Sequence, residues 1–164
     1  TETALMLEIP ELFSWLRFRR DSLTRMFGEI HGAVHAIKPD IDLRLNAYIS
    51  RNQELAGIDL AALKPHLDSI RSSDYSEQSG DPAMLEFKRS WLLGVRRAIG
   101  DEFPFLSAIG VRPKATPELV AKGVVVSAEC GTDGVTLGHY DGATFSHLRA
   151  IREGMEMADV EMRR

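Results

Sequence analysis

Two short runs of this chain concentrate side chains that can bind or move protons. The run IRSSDYSEQ, residues 70–78, carries Arg71, Asp74, Tyr75 and Glu77, and the run LGHYDG, residues 137–142, carries His139, Tyr140 and Asp141. Two carboxyl groups facing one another can break a sugar–oxygen bond. One protonates the leaving oxygen and the other acts as nucleophile or base. Asp74 and Asp141 are the candidates for that work, with Glu2 as a third. Tyr48, Arg51, Arg71, Tyr75, Glu77, Arg112, His139 and Tyr140 are the candidates for holding a substrate. Phenols and imidazoles hydrogen-bond hydroxyl groups and stack on ring faces, and guanidinium groups grip anions. A plainer reading stands beside this one. Loop carboxylates are commonly solvated or cap helices, and Asp141-Gly142 with Thr144 also reads as a strand-to-helix turn with a cap.

Other chemistries find less support. His31 and His35 stand four apart, but Gly32 follows the first where a zincin helix has Glu. They are expected on the helix surface, and no metal site is expected. No G-x-S-x-G elbow, G-x-G-x-x-G turn or Walker loop occurs, so no cofactor is expected. Cys130 is the one cysteine, which excludes an internal disulfide. It is expected to be a small buried residue near a helix end, in a reducing, cytoplasmic setting. The net charge of -4 and the lack of a basic block argue against nucleic acid. Arg17, Arg19, Arg20 and Arg25 sit among acids and read as a solvated helix face. No apolar run is long enough for a membrane span.

The elements that would position these groups alternate. Apolar residues at helical spacing mark residues 11–38, from Leu12 and Phe13 through Leu16, Leu23, Phe27, Ile30 and Val34 to Ile37. Residues 41–50 alternate apolar and polar, as a strand does. A loop and short helix follow, then a short strand at 68–72 and a helix from Pro82 to Gly100. A strand at 105–111, a helix from Pro117 to about Gly131, a strand at 133–138 and a helix from Thr144 to about Met157 complete the order. Helix–strand alternation demands a mainly parallel sheet, because parallel strands need crossovers. One domain over residues 1–164 is expected. An open doubly wound sheet and part of a (β/α)₈ barrel both satisfy the pattern, and both put the site at the C-terminal strand ends. The candidate residues follow the four expected strands, while Pro39-Asp40, Asp101-Glu102 and Thr132-Asp133 on the other rim are plainer.

The run SWLRFRRDSLTRMFGEIHGAVHAIKPDIDLRLNAYIS, with Trp15, Phe18 and Arg19, is similar to a stretch of glycoside hydrolases with a (β/α)₈ barrel, distantly related to microbial β-galactosidases. GIDLAALKPHLDSIRSSDY and TDGVTLGHYDG resemble later segments of that family. The resemblance covers nearly the whole chain through architectural motifs. It implies an α/β fold that is a partial TIM barrel, strands five to eight with helices four to eight, the N-terminal half lying outside this chain. It implies a carbohydrate substrate, an acid/base near Glu2, and a missing barrel half or a second copy as partner. This segment alone is then expected to be inactive. In related retaining enzymes the nucleophile ends strand seven. Here that strand ends in Gly110, Val111, Arg112 and Pro113, with no carboxylate. A glycan-binding barrel without the acid pair, and a barrel enzyme gripping an anionic small molecule through Arg51, Arg71 and Arg112, are therefore the alternatives.

Overall fold

Prolines and hydroxyl caps set the helix starts. A computed structural model describes residues 8–47, 56–112 and 114–162. Helix α1 (Pro10–Ile37) opens on a proline, whose missing N–H costs nothing at a first helical position. It stops before Pro39, which disfavours helical geometry at the residue ahead of it. The elements that follow are β1 (Arg44–Ala47), α2 (Leu60–Leu63), the 3-10 turn η1 (Lys64–His66), β2 (Ser69–Ser72) and the 3-10 turn η2 (Ser76–Ser79). Then come α3 (Met84–Ile99), β3 (Phe105–Gly110), α4 (Pro117–Glu129), β4 (Gly134–Gly138), the 3-10 turn η3 (Tyr140–Gly142) and α5 (Phe145–Met162). The expected alternation is present, with the first strand shorter than the 41–50 pattern; residues 48–50 lie outside the described residues.

The chain divides into two compact units. Residues 1–43 and 50–68 make the first, and residues 44–49 and 69–164 the second. In the first, α1 packs on α2 and η1. Such short partners cover little of its apolar surface. Leu16 is buried, whereas Phe13, Phe18 and Ile37 are 57%, 65% and 88% exposed. Of the basic cluster, Arg17 and Arg20 pair with Asp21, and Arg20 also reaches Asp59 at 3.8 Å.

The second unit holds a four-stranded sheet, all parallel, in the order β1-β2-β3-β4. Register decides its two faces. Asn46 pairs with Arg71, Arg71 with Leu106, and Leu106 with Gly134. Because side chains alternate along a strand, Arg44, Asn46, Arg71, Ala108 and Thr136 share one face. Ile70, Ser72, Phe105, Ser107, Ile109, Val135 and Leu137 share the other. Helices cover the second face. Trp91 Nε1 of α3 donates to Ser72 Oγ at 3.0 Å, and Ser127 Oγ of α4 donates to Ser107 Oγ at 2.9 Å. Ile109 sits with Val120, Val124, Ala150 and Ile151 in a core that joins β3, α4 and α5.

Three polar anchors tie the connections down. Thr116 Oγ1 accepts from Leu119 N–H and starts α4. His147 is buried; its Nε2–H donates to Ala115 O at 2.7 Å while Nδ1 accepts from Thr144 N–H, which fixes the start of α5 against the loop before α4. Arg96 donates to the carbonyls of Gly100, Asp101, Phe103 and Gly131 and meets Asp133 at 3.3 Å, joining the loops that enter β3 and β4. Cys130 stands at the α4 C-cap and is buried, as its sequence setting suggested. Burial pushes its thiol pKa up. Cys130 is therefore expected to react with a disulfide reagent only slowly at pH 8 in the folded chain and rapidly in denaturant; equal rates would show the thiol to be accessible.

The deepest polar contact is an ion pair. Lys88 Nζ of α3 lies 2.8 Å from Glu77 Oε1, and neither side chain has any exposed surface. Lys88 also donates to Ala108 O at 2.6 Å, and Glu77 Oε2 accepts from Gly110 N–H at 3.0 Å. Gly123 of α4 lies so close that a Cβ there would overlap the Glu77 carboxylate. Removing one charge strands the other, so Lys88→Met is expected to cost about 3–5 kcal/mol in denaturant unfolding. Glu77→Gln with Lys88→Met is expected to recover much of that loss. A double variant no more stable than the single one would show that the charge imbalance is not the cause.

Candidate functional site

The C-terminal ends of the strands carry a cluster built round Arg71. This arginine is half-buried on the sheet face opposite helices α3 and α4. Its Nε donates to Thr136 Oγ1 at 2.5 Å, Nη1 to Asn46 Oδ1 at 3.2 Å and Ser73 Oγ at 3.4 Å, and Nη2 to Tyr75 OH at 3.1 Å. Each acceptor is neutral. Among the described residues, no carboxylate pairs with this guanidinium, whereas Arg96 on the opposite rim has Asp133. A half-buried cation without a counter-ion carries an unanswered field that an anion can satisfy.

Tyr75 passes the cluster on to β4. Its ring lies against Gly138, where a Cβ would overlap the ring. It also faces the His139 ring at 5.2 Å, tilted by 53°. His139 has φ of 58°, a left-handed conformation that costs a non-glycine residue about 1–3 kcal/mol. That backbone turn brings Nδ1 within 3.0 Å of Arg112 Nη2, on the loop after β3. A guanidinium has only donors, so Nδ1 accepts and the neutral ring carries its proton on Nε2. The loops after β3 and β4 adjoin, since a Cβ on Gly142 would lie 3.8 Å from Val111 O and 3.9 Å from Arg112 Cγ.

The remaining candidates are placed differently. Asp74 is buried at 2% exposure, and its Oδ1 accepts from Ser76 N–H at 2.6 Å, which shapes the turn into η2. Its Oδ2 is buried without a hydrogen-bond partner among the described residues. Glu77, expected to touch substrate, is instead enclosed in the Lys88 ion pair. Neither carboxyl group is open to a ligand in this conformation. Asp141 lies exposed in η3. Glu2, Tyr48 and Arg51 lie outside the described residues, as does the side chain of Tyr140. The described site thus joins Arg71, Tyr75, His139 and Arg112, and adds Asn46, Ser73 and Thr136. Asn46 and Thr136 are small polar residues on β1 and β4 with no local motif to mark them, and Ser73 follows β2 directly. The sequence signal of Asn46 and Thr136 is their strand register alone.

A second cluster lies in the first unit. His31 and His35 of α1 stand side by side, ring centroids 4.2 Å apart, and both face Asp68. His35 Nε2 is 2.9 Å from Asp68 Oδ2, and His31 Nε2 is 3.9 Å from Oδ1. Asp68 Oδ2 also accepts from Leu43 N–H at 2.7 Å. That backbone bond, with His35 beside it, holds the Asp68 carboxyl below the usual carboxylate range. The Asp68 hydrogen bond in turn raises His35 above its ordinary value. The two histidines are half-buried against a carboxylate, where the sequence pointed to a helix surface. Asp68 was missed because it lies 33 residues from His35.

No protein family, curated protein or solved structure matches this chain. No helix among the described residues is long and apolar enough to cross a membrane.

Gly138→Ala tests the geometry at the strand ends. The added methyl group must displace the Tyr75 ring, and with it the bond to Arg71. The variant is expected to lose about 1–3 kcal/mol of stability and to shift the Tyr75 and His139 ring resonances. Unchanged resonances would mean that the ring does not rest on Gly138.

Proposed function

We propose that the chain contributes the last four βα units of a (β/α)₈ barrel, and that its strand ends bind a small molecule bearing an oxyanion, a sugar acid or sugar phosphate. The observation that carries this reading is the Arg71 guanidinium, half-buried and, among the described residues, bonded to neutral oxygens only. Several features support it. The strand order is sequential, as successive barrel units require, whereas doubly wound sheets reverse order at a switch point. Helices α3 and α4 lie on one face, and the other carries the polar residues Asn46, Arg71 and Thr136 that would look into a barrel. The loops after β3 and β4 would be those after strands seven and eight, where barrels often bind phosphate. Arg112 stands on the first of these and His139 on the second. The His139 Nε2–H and the Tyr75 ring suit the hydroxyl groups and apolar face of a sugar.

A glycoside hydrolase remains the second reading, carried by the family resemblance. Its acid pair would draw on Asp141, exposed at the rim, and on Glu2. Asp74 could serve only if the turn round Ser76 opened.

Titration of the 164-residue chain with glucuronate, glucose and inorganic phosphate, followed by NMR or calorimetry, separates these readings. Glucuronate and phosphate are expected to bind saturably and glucose far more weakly. Arg71→Gln is expected to weaken anion binding about 10–100-fold, since a charge-assisted bond contributes roughly 1.5–3 kcal/mol. Equal affinity for glucose and glucuronate, or intact anion binding in both Arg71→Gln and Arg112→Gln, would sink the proposal.

A further inference from the structure

The His31–His35–Asp68 cluster has the composition and convergence of a metal centre. An i, i+4 pair puts both imidazoles on one face of α1. One ring nitrogen of each histidine and one carboxylate oxygen of Asp68 all lie within 4.8 Å of one another. Ligands around tetrahedral zinc stand about 3.3 Å apart, given metal–ligand bonds of about 2.0–2.2 Å. The His35–Asp68 separation of 2.9 Å is already below that value, and the His31–Asp68 separation of 3.9 Å is slightly above it. Small rotations of the rings would place all three ligands on one ion.

The outer contacts favour the same arrangement. His35 Nδ1 lies 3.0 Å from Pro39 O, so it donates there and leaves Nε2 as the ligating atom. Metal-bound histidines are commonly held in this way by a backbone carbonyl. Asp68 is held by Leu43 N–H, which fixes its carboxylate between the two rings. A simple histidine–carboxylate bridge accounts for His35 but not for His31. The 3.9 Å from His31 to Asp68 is too long for a hydrogen bond, yet the ring is turned toward the same carboxylate. The three side chains are 21–33% exposed, which leaves an entry path and room for water.

We propose that His31, His35 and Asp68 bind a divalent transition-metal ion of the zinc class, with solvent completing the coordination. Two imidazoles and one carboxylate suit zinc, cobalt or nickel, while magnesium and calcium prefer all-oxygen sites. The ion would clip the second half of α1 to the residue that leads into β2, closing 33 residues of chain separation.

The test is titration of the 164-residue chain with Co²⁺ at neutral pH, read by its visible absorption, then competition with Zn²⁺ and with Mg²⁺. One Co²⁺ per chain is expected, displaced by Zn²⁺ and not by Mg²⁺. His31→Gln is the sharp variant, because among the described residues His31 makes no hydrogen bond, its Nε2 lying 3.9 Å from Asp68 Oδ1. It is expected to weaken Co²⁺ binding at least tenfold, comparable to the roughly 10–100-fold cost of losing even an outer contact, while the metal-free melting temperature stays put. Asp68→Asn is expected to weaken binding similarly, with circular dichroism to verify that it folds. Absence of Co²⁺ absorption, or His31→Gln binding as tightly as the parent chain, would overturn the proposal and leave a His35–Asp68 bridge alone.

Discussion

Glu77 and Lys88 form a fully buried ion pair at the point where three elements meet. Burying two charges in a low-dielectric interior is tolerable only when their remaining hydrogen-bonding positions are answered. Here the Gly110 amide and the Ala108 carbonyl answer them, so the pair is joined to the last residues of β3. The chain after β2 is thereby drawn across the strand ends. Tyr75 is placed on Gly138 and Gln78 on Gly110. On that course the Tyr75 hydroxyl accepts from Arg71 Nη2 and orients it.

Glycines make this course possible. Gly123 lets α4 approach the Glu77 carboxylate, and Gly138 leaves the space that the Tyr75 ring occupies. The polar interior is matched by polar residues on the covered face. Ser72 and Ser107 sit there among apolar neighbours, each bonded to a helix side chain, Trp91 in one case and Ser127 in the other. The helices are thus held in register on the sheet as well as packed against it.

The two rims use arginine in opposite ways. Arg96 is buried among carbonyl oxygens and one carboxylate, a neutralised role that binds loops together. Among the described residues Arg71 has neutral acceptors only, and Arg112 has the His139 ring. The difference is electrostatic: Asp133 answers the charge of Arg96, whereas the described partners of Arg71 are uncharged. Asp74 looked suited to acid–base chemistry and Glu77 to holding a substrate, because they follow a strand directly. Both are turned inward, one to shape a turn and one to balance Lys88.

The element order was legible in the chain. Periodicity, proline starts and glycine stops locate the four strands and their helices, because these are local preferences of φ, ψ and burial. Thr144 as a cap and Cys130 as a buried helix-end residue were legible for the same reason. Tyr75, Arg112 and His139 follow strands in the sequence, and any parallel α/β sheet gathers such residues at one rim; Arg71 lies within β2 itself. What the sequence could not decide was which polar groups face one another. Glu77 meets Lys88 across 11 residues and a change of element, and His35 meets Asp68 across 33. Such partners are set by crossover geometry and strand register. A one-residue shift in register would have sent Arg71 to the covered face. The α1 apolar stripe makes the same point: periodicity marks a face for burial, and only the packing shows that Phe13 and Ile37 remain exposed.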